Sequence, residues 1–439
     1  MKAARPPAAI LLALTWCAVA RADTPWVWNL PVGFPTPKVP ADNPMTVEKV
    51  ALGRFLFYDT RMSGNQTQAC ASCHQQKLAF TNGLPQSIGS TGALTPRGAL
   101  SLTNVAYASI LTWANPTLAT LEQQVLVPMF NETPVELGLT GHQDELFARL
   151  ASDARYRRLF AEAFPEQSDP ISLNSVVQGI TSFVRTLISG NAPYDRFVNG
   201  LDDFALSDSA QNGALLFFRE QMDCFHCHGG FDFQASVTFQ GKVFDEIQFD
   251  NNALYNIGGD GGYPPDNTGL FAFTQVPSDM GRFRAPTLRN ITLTAPYMHD
   301  GSIATLQGVM DHYAAGGRTI TTGPYAGDGS KNPYKSPFVH GFSLTDQQIQ
   351  DGLNFLQSLT DEDFVTNPDF SDPFAPVRCP GDCNYDGTVT IDEILKGVDI
   401  ALDSTSLALC LDADPTGDGA VTVDELLAAV QAALAGCQK

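Results

Sequence analysis

Two pentapeptides, Cys70-Ala71-Ser72-Cys73-His74 and Cys224-Phe225-His226-Cys227-His228, stand about 150 residues apart in this chain. In each, two thiols one helical turn apart precede a histidine. At that spacing both sulfurs can form thioethers to one porphyrin while the histidine reaches its iron. A zinc or redox Cys-x-x-Cys does not require histidine at the next position in both copies. The pattern therefore points to two covalent c-type haems. Cys70, Cys73, Cys224 and Cys227 would hold the porphyrins, and His74 and His228 the irons. Two haems in one chain move electrons. Whether the chain also does chemistry depends on the groups placed around them.

A second chemistry-bearing pattern lies near the C-terminus. One loop runs Asp382, Asn384, Asp386, Gly387, Thr388, Thr390, Glu393; another runs Asp414, Thr416, Asp418, Gly419, Ala420, Thr422, Glu425. Oxygen ligands at positions 1, 3, 5, 9 and 12, a backbone carbonyl at 7 and glycine at 6 match an EF-hand calcium loop. A hard cation takes six to eight oxygens, and the glycine allows the turn that aims them inward. Threonine at position 3 makes the second loop the weaker site. Each loop leads into an apolar-periodic helix, Ile394 to Leu402 and Leu426 to Leu434. Cys379, Cys383, Cys410 and Cys437 all fall in this segment. In an oxidising compartment they imply two disulfides with three connectivities. A unit of about 60 residues needs such staples.

The elements that must position the haem sites occur twice. Residues 46–58 have a threonine cap and helical apolar spacing, and residues 207–218 repeat them after Ser207. Gly213…Leu216-Phe217 echoes Gly53…Leu56-Phe57, a small residue that lets the helix cross closely over another. Each half closes with an amphipathic helix, residues 172–189 and residues 345–359 after Ser343 or Thr345. Helix, haem motif, long Gly/Pro-rich loops and closing helix is the plan of a cytochrome c domain. The predicted fold is mostly α. It comprises an N-terminal haem domain (23–200), a second (201–360), a linker (361–378) and a small EF-hand/dockerin-like domain (379–439).

Lys2 and Arg5, the apolar run Ala8 to Val19 and Ala20-Arg21-Ala22 read as a secretory signal peptide over residues 1–22. Export agrees with haem attachment and disulfides, and places the protein in the periplasm, at the cell surface or outside the cell. The formal charge of −21 makes nucleic acid and anionic membrane poor partners. From Cys379 onward there are eleven acids against two bases, which marks off that segment.

Between the haem motifs come Leu94-Thr95-Pro96-Arg97, Ser101-Leu102-Thr103-Asn104-Val105, Trp113, Leu121-Glu122-Gln123-Gln124, Pro128 and Pro134-Val135-Glu136-Leu137-Gly138. After the second lie Arg282-Phe283-Arg284-Ala285-Pro286-Thr287-Leu288-Arg289-Asn290 and Leu293-Thr294-Ala295-Pro296-Tyr297-Met298-His299-Asp300-Gly301. From residue 26 to about 360 the chain resembles the bacterial di-haem cytochrome c peroxidase and MauG superfamily. Leu111-Thr112-Trp113-Ala114-Asn115-Pro116 and the stretch through Gly138 look most like the MbnH branch, which uses peroxide to oxidise a tryptophan of a partner protein. The C-terminal segment resembles dockerin-type calcium modules, for which a cohesin-like or surface partner is implied.

The resemblance implies roles. Glu136 would move a proton between the two peroxide oxygens, Gln124 would hydrogen-bond bound peroxide, and Pro128 would shape the distal wall. Trp113 would relay electrons between the haems. In many di-haem peroxidases a histidine in a Ser-Ile-Gly-His stretch blocks the first iron. Here the stretch is Gln86-Ser87-Ile88-Gly89-Ser90, which leaves that iron open unless another histidine, such as His142, fills the gap. The second iron's sixth ligand falls on Tyr313, the MauG-like choice, with Met310 and His312 as neighbours in sequence. The superfamily's inter-haem calcium uses two backbone carbonyls, here Thr294 and Pro296, and an asparagine that is replaced by Gly98.

The expected function is peroxide-driven oxidation of a secreted partner protein, at tryptophan, through a high-valent di-haem intermediate. The alternatives are a cytochrome c peroxidase that detoxifies hydrogen peroxide with a small electron-donor protein, and a non-enzymatic di-haem electron carrier.

Overall fold

The computed structural model describes residues 24–375 and 379–437. The expected signal peptide and residues 376–378 of the expected linker lie outside the described residues. Helices dominate. We label α1 (Val47–Tyr58), α2 (Gln143–Ser152), α3 (Ala154–Ala163), α4 (Leu173–Arg185), α5 (Asp208–Phe217), α6 (Leu306–Ala314), α7 (Asp346–Gln357), α8 (Ile391–Ala401) and α9 (Val423–Ala435). A two-residue antiparallel pair, Thr319–Ile320 with Gly327–Asp328, is the sheet among the described residues.

The expected caps start the helices. Thr46 accepts the Lys49 N–H at 3.2 Å, and Ser207 accepts that of Ala210 at 3.2 Å. Thr345, not Ser343, caps α7, in a box with Gln348. These hydroxyls satisfy N–H groups that have no partner within the helix.

The duplication predicted from the glycines holds in three dimensions. α1 crosses α4 and α5 crosses α7 as the two most extensive helix pairings. A Cβ on Gly53 would lie 1.9 Å from the Gly179 carbonyl oxygen, and one on Gly213 would lie 1.9 Å from that of Asp351. No side chain fits at either crossing.

The repeat extends past the helices. Asn104 and Asn290 both adopt left-handed backbone conformations, at φ 56° and 61°. Asn104 N–H donates to Leu187 O, just beyond α4, and Asn290 N–H donates to Leu359 O, just beyond α7, each at 2.9 Å. Their side-chain oxygens accept the N–H groups of Ser189 and Asp361 at 2.7 and 2.8 Å.

Two expected boundaries need correction. The first domain does not run to residue 200. Tyr194 packs with Phe217, Phe233 and Phe355 of the second half, and Asp195 pairs with Arg289. The stretch 361–375, expected as a linker, is a strap across the first half. Phe364 is buried against Phe80, Tyr58 OH donates to Phe370 O at 2.6 Å, and Arg54 reaches Pro368 O at 2.6 Å. Its prolines and acids suggested a solvated tether, but its two phenylalanines supply apolar surface that the first core covers.

The C-terminal segment forms two loop-and-helix units, with α8 against α9. Disulfides join Cys379 to Cys437 and Cys383 to Cys410, with Cα atoms 4.8 and 4.6 Å apart. This selects one of the three connectivities, and both Cα separations lie in the range a disulfide spans. The module rests on α3 of the first haem domain. Arg158 donates to Gly419 O at 2.6 Å, and Ser406 donates to Glu162 at 2.8 Å.

The α5–α7 crossing yields a direct test. Gly213→Ala must push α5 off the Asp351 carbonyl, an overpacking cost of about 1–3 kcal/mol or more. The variant's circular-dichroism melt should therefore move to lower temperature. An unchanged melt would mean the helices are not in contact there.

Candidate functional site

Each haem-attachment motif sits on a short turn of helix, Cys70–Cys73 and Cys224–His226. The histidine that follows is anchored by its inner nitrogen. His74 Nδ1 lies 2.8 Å from Phe80 O, and His228 Nδ1 lies 3.2 Å from Phe233 O and 3.1 Å from Pro286 O. A carbonyl can only accept, so Nδ1 carries the proton and Nε2 keeps its lone pair for a metal. Burial lowers the pKa of both rings, which favours that neutral form. The four cysteines are free of disulfides.

Beside the second motif is a cavity lined by Cys224, Cys227, His228, Trp113, Met310 and Tyr313 among others. It is mostly apolar, as a haem site requires. Tyr313 is the sequence-predicted ligand and faces this space. Burial pushes its phenol well above the usual tyrosine range, with the Cys227 thiol adding to the effect. His312 is directed elsewhere, its Nε2 2.8 Å from Asn252 O, and does not line the cavity. Met310 does line it, while packing on Leu216 and Met222.

Around the first motif the structure brings together Ser90, Gln124, Pro128 and Glu136, which lie up to 46 residues apart. Leu121–Gln124 and Leu126–Phe130 are nearly continuous helical turns, so Gln124 and Pro128 stand one turn apart. Leu137 N–H donates to Pro128 O at 2.8 Å, and Ser90 N–H donates to Glu136 O at 2.7 Å. Glu136 is close enough to Cys70 and Cys73 to raise both thiol pKa values. Burial raises its own. The amide oxygen of Gln124 is buried without a hydrogen-bond partner. A buried unpaired acceptor is costly unless a ligand satisfies it. His142, the alternative ligand, is half-exposed and 3.2 Å from Glu145; it does not enter this group.

Trp113 lines the second-haem cavity and also a smaller one bordered by Gly98, Thr294 and Pro296. Its indole N–H points to Gly98 O at 3.5 Å. Arg284 clamps the segment, its N–H donating to Trp113 O at 2.8 Å and Nε donating to Thr112 O at 3.2 Å. The smaller cavity unites the three positions named for the inter-haem calcium, yet no carboxylate lines it. A Cβ at Gly98 would be 2.4 Å from Leu84 O, so an asparagine there would displace that backbone.

The C-terminal loops have the expected turns. Asp382 accepts the Gly387 N–H at 2.9 Å, and Asp414 accepts that of Gly419 at 2.8 Å. Glu393 and Glu425 accept N–H and hydroxyl of Thr390 and Thr422, completing capping boxes. In the first loop Asp382 Oδ1 remains buried and unpaired.

Sequence reasoning gave His299 no role. It is 3 % exposed, stacks on Phe283 with ring centres 3.7 Å apart, lines the second-haem cavity and leaves Nε2 unpaired. Its burial beside an apolar cavity, which no spacing reveals, is the signal.

Comparison with known proteins agrees with this geometry. The model of the family "Di-haem cytochrome c peroxidase" matches residues 47–203. The methylamine utilization protein MauG of Methylorubrum extorquens is 31% identical over 332 residues, 76% of this chain and 83% of that protein. The chain belongs to the di-haem cytochrome c peroxidase and MauG family. Cytochrome-c peroxidase IdrP1 of Denitromonas iodatirespirans is 32% identical over 394 residues, 85% of this chain and 96% of the relative. A solved MauG-like protein associated with microbial copper homeostasis is 49% identical, with a TM-score of 0.78, covering 79% of this chain and 99% of that one. The protein is thus a haem peroxidase-type oxidoreductase with two haem sites, and the non-enzymatic carrier reading is set aside. Among the described residues no helix is long and apolar enough to cross a membrane.

The Glu136 environment makes a pH prediction. Its pKa is raised on folding, so the folded protein keeps a proton that the unfolded chain releases above about pH 4.3. The favourable burial of the neutral carboxyl is complete below that value and is lost as pH rises through the folded pKa. Glu136→Gln cannot titrate, so its melting temperature relative to wild type should climb as pH rises above about 4.3. A difference that stays constant across that range would place Glu136 in solvent.

Proposed function

We propose that this protein uses hydrogen peroxide to oxidise a secreted partner protein at a tryptophan side chain, as the MbnH branch does, in the periplasm. The observation that carries the proposal is the pairing of a partly buried Glu136, whose pKa burial raises, with the unpartnered amide oxygen of Gln124 beside the Cys70/Cys73/His74 site. The 49% identity to a protein associated with copper homeostasis supports the choice of branch. It makes a metal-handling protein the natural class of partner.

The two haems, held through Cys70, Cys73 and His74 and through Cys224, Cys227 and His228, supply the redox chemistry when bound. The chain's residues manage the rest. Gln124 offers a hydrogen-bonding group to peroxide within an enclosed site. Glu136 takes the proton from one peroxide oxygen and delivers it to the other, a contribution of typically 10²–10⁴-fold. Two electrons and two protons from the partner then complete the reduction of one peroxide to two waters. Trp113, clamped by Arg284, is the aromatic bridge between the haem regions, and Tyr313, which shares a cavity with His228, would supply the second iron's other ligand. Met310 in the same cavity favours the runner-up, a peroxidase fed by a small donor protein.

Titration of the ferric di-haem protein with one equivalent of peroxide, followed optically and by EPR, tests this reading. The high-spin signal should disappear without prior reduction, and Glu136→Gln should slow that reaction by about 10²–10⁴-fold. A protein that stays inert until one haem is reduced belongs with the runner-up.

We also propose calcium in the two C-terminal loops, on the strength of the unpaired Asp382 oxygen. Calcium at about 100 times its Kd should stabilise the module by about 2.7 kcal/mol, or about 11–22 °C in its melting temperature. Asp382→Ala should remove most of the gain. No shift in wild type would leave the loops as capping structures alone.

A further inference from the structure

Among the described residues another cluster of metal-ligating side chains lies outside the sites above. Glu220, Asp223 and His226 bring two carboxylate oxygens and an imidazole nitrogen within 4.8 Å of one another. His226 Nε2 is 3.3 Å from Asp223 Oδ1 and 3.7 Å from Glu220 Oε2. From a separate loop, His340 Nε2 comes within 3.1 Å of Asp223 Oδ2. Ligand atoms bound at the usual 2.0–2.2 Å to a tetrahedral ion lie about 3.3–3.6 Å apart. Glu220, Asp223 and His226 stand near such separations, and His340 joins them through the other carboxylate oxygen of Asp223.

Two further observations call for a cation at their centre. Asp223 is 9 % exposed, and its Oδ1 makes no hydrogen bond although it faces His226. An unpaired buried carboxylate oxygen is costly. The second concerns His340, whose Nδ1 is 2.6 Å from Gly341 O. A carbonyl only accepts, so that nitrogen holds the ring's proton and a neutral ring presents a lone pair at Nε2. That lone pair meets a carboxylate oxygen. A cation bound between them would satisfy both.

The His226 ring is also fixed in place. It stacks on Phe338, centroids 4.1 Å apart and planes 12° apart, with Phe225 against its other neighbour side at 4.1 Å. Its orientation is set before any ion arrives, which lowers the entropy cost of binding.

We propose that Asp223, His226, His340 and Glu220 bind one divalent transition-metal ion. Two imidazoles with two carboxylates suit Cu²⁺ and Zn²⁺ rather than Ca²⁺ or Mg²⁺, and Cu²⁺ binds most tightly in the divalent series. Asp223 and Phe338 line the second-haem cavity, so the ion occupies its rim. Exposed Glu220 closes the outer face. The proposal rests on these four side chains and is independent of the peroxide reaction.

The test is a Cu²⁺ titration of the full-length di-haem protein in millimolar calcium, followed by calorimetry and EPR. One equivalent should bind with hyperfine splitting from two nitrogens. Asp223→Asn and His340→Gln should each weaken that site by at least about 100-fold, more than the loss of an outer-shell partner would. His142→Gln, a surface histidine on the first domain, should leave it unchanged. If Asp223→Asn impairs haem attachment, seen in its Soret absorbance, His340→Gln on its exposed loop decides alone. Copper binding and nitrogen splitting that are the same in wild type and His340→Gln would overturn the proposal.

Discussion

A buried polar seam between the two haem domains governs the architecture. Asn104 donates to Ser189 O and to Asp232, Asn290 donates to the Ser189 hydroxyl, and Asp361 accepts from Ser189, Gly190 and Asn191. Within the second half, Arg289 forms a two-pronged pair with Asp195 at 2.8 and 2.9 Å and also reaches Phe231 O at 3.0 Å, a buried pair from which removing one partner costs about 3–5 kcal/mol. Asn104, Asn290 and Asp361 tie the two halves together in this register. That register places Trp113, carried by the first half, against Arg284 of the second.

Around the haem motifs, burial favours neutral forms. Burial lowers the pKa of His74 and His228 and raises that of Glu136 and of Tyr313. Asp232 in the seam is raised by burial to about 6 even with Arg289 nearby. Low dielectric thus serves two ends. It favours the lone pair on the imidazoles, and it favours the protonated form of a carboxyl beside the first Cys-x-x-Cys-His motif.

The C-terminal module follows the same economy of small cores. Two disulfides close loops of 58 and 27 residues, and the module leans on α3 through Arg158. The strap at 361–375 covers the first core before the module begins. It joins Asp361, which belongs to the seam, to Arg54 and Tyr58 of α1, so the seam, the first core and the module are mechanically continuous.

The haem motifs, the helix caps at Thr46 and Ser207 and the crossing glycines were legible in the sequence, because each depends on contacts within a few residues or on a close approach only glycine permits. The duplicated plan followed from their repetition. The domain edge near residue 190 and the packed strap were not legible, because they depend on which apolar face finds cover. Likewise, Tyr313 rather than His312 faces the cavity because α6 turns successive side chains to different sides. The cluster of Glu220, Asp223, His226 and His340 lay hidden for a related reason: its fourth member is more than a hundred residues away. Sequence determined which groups could bind haem, because attachment chemistry is local. Tertiary structure decided which of them share a site, because burial and long-range hydrogen bonding exist only once the halves have docked.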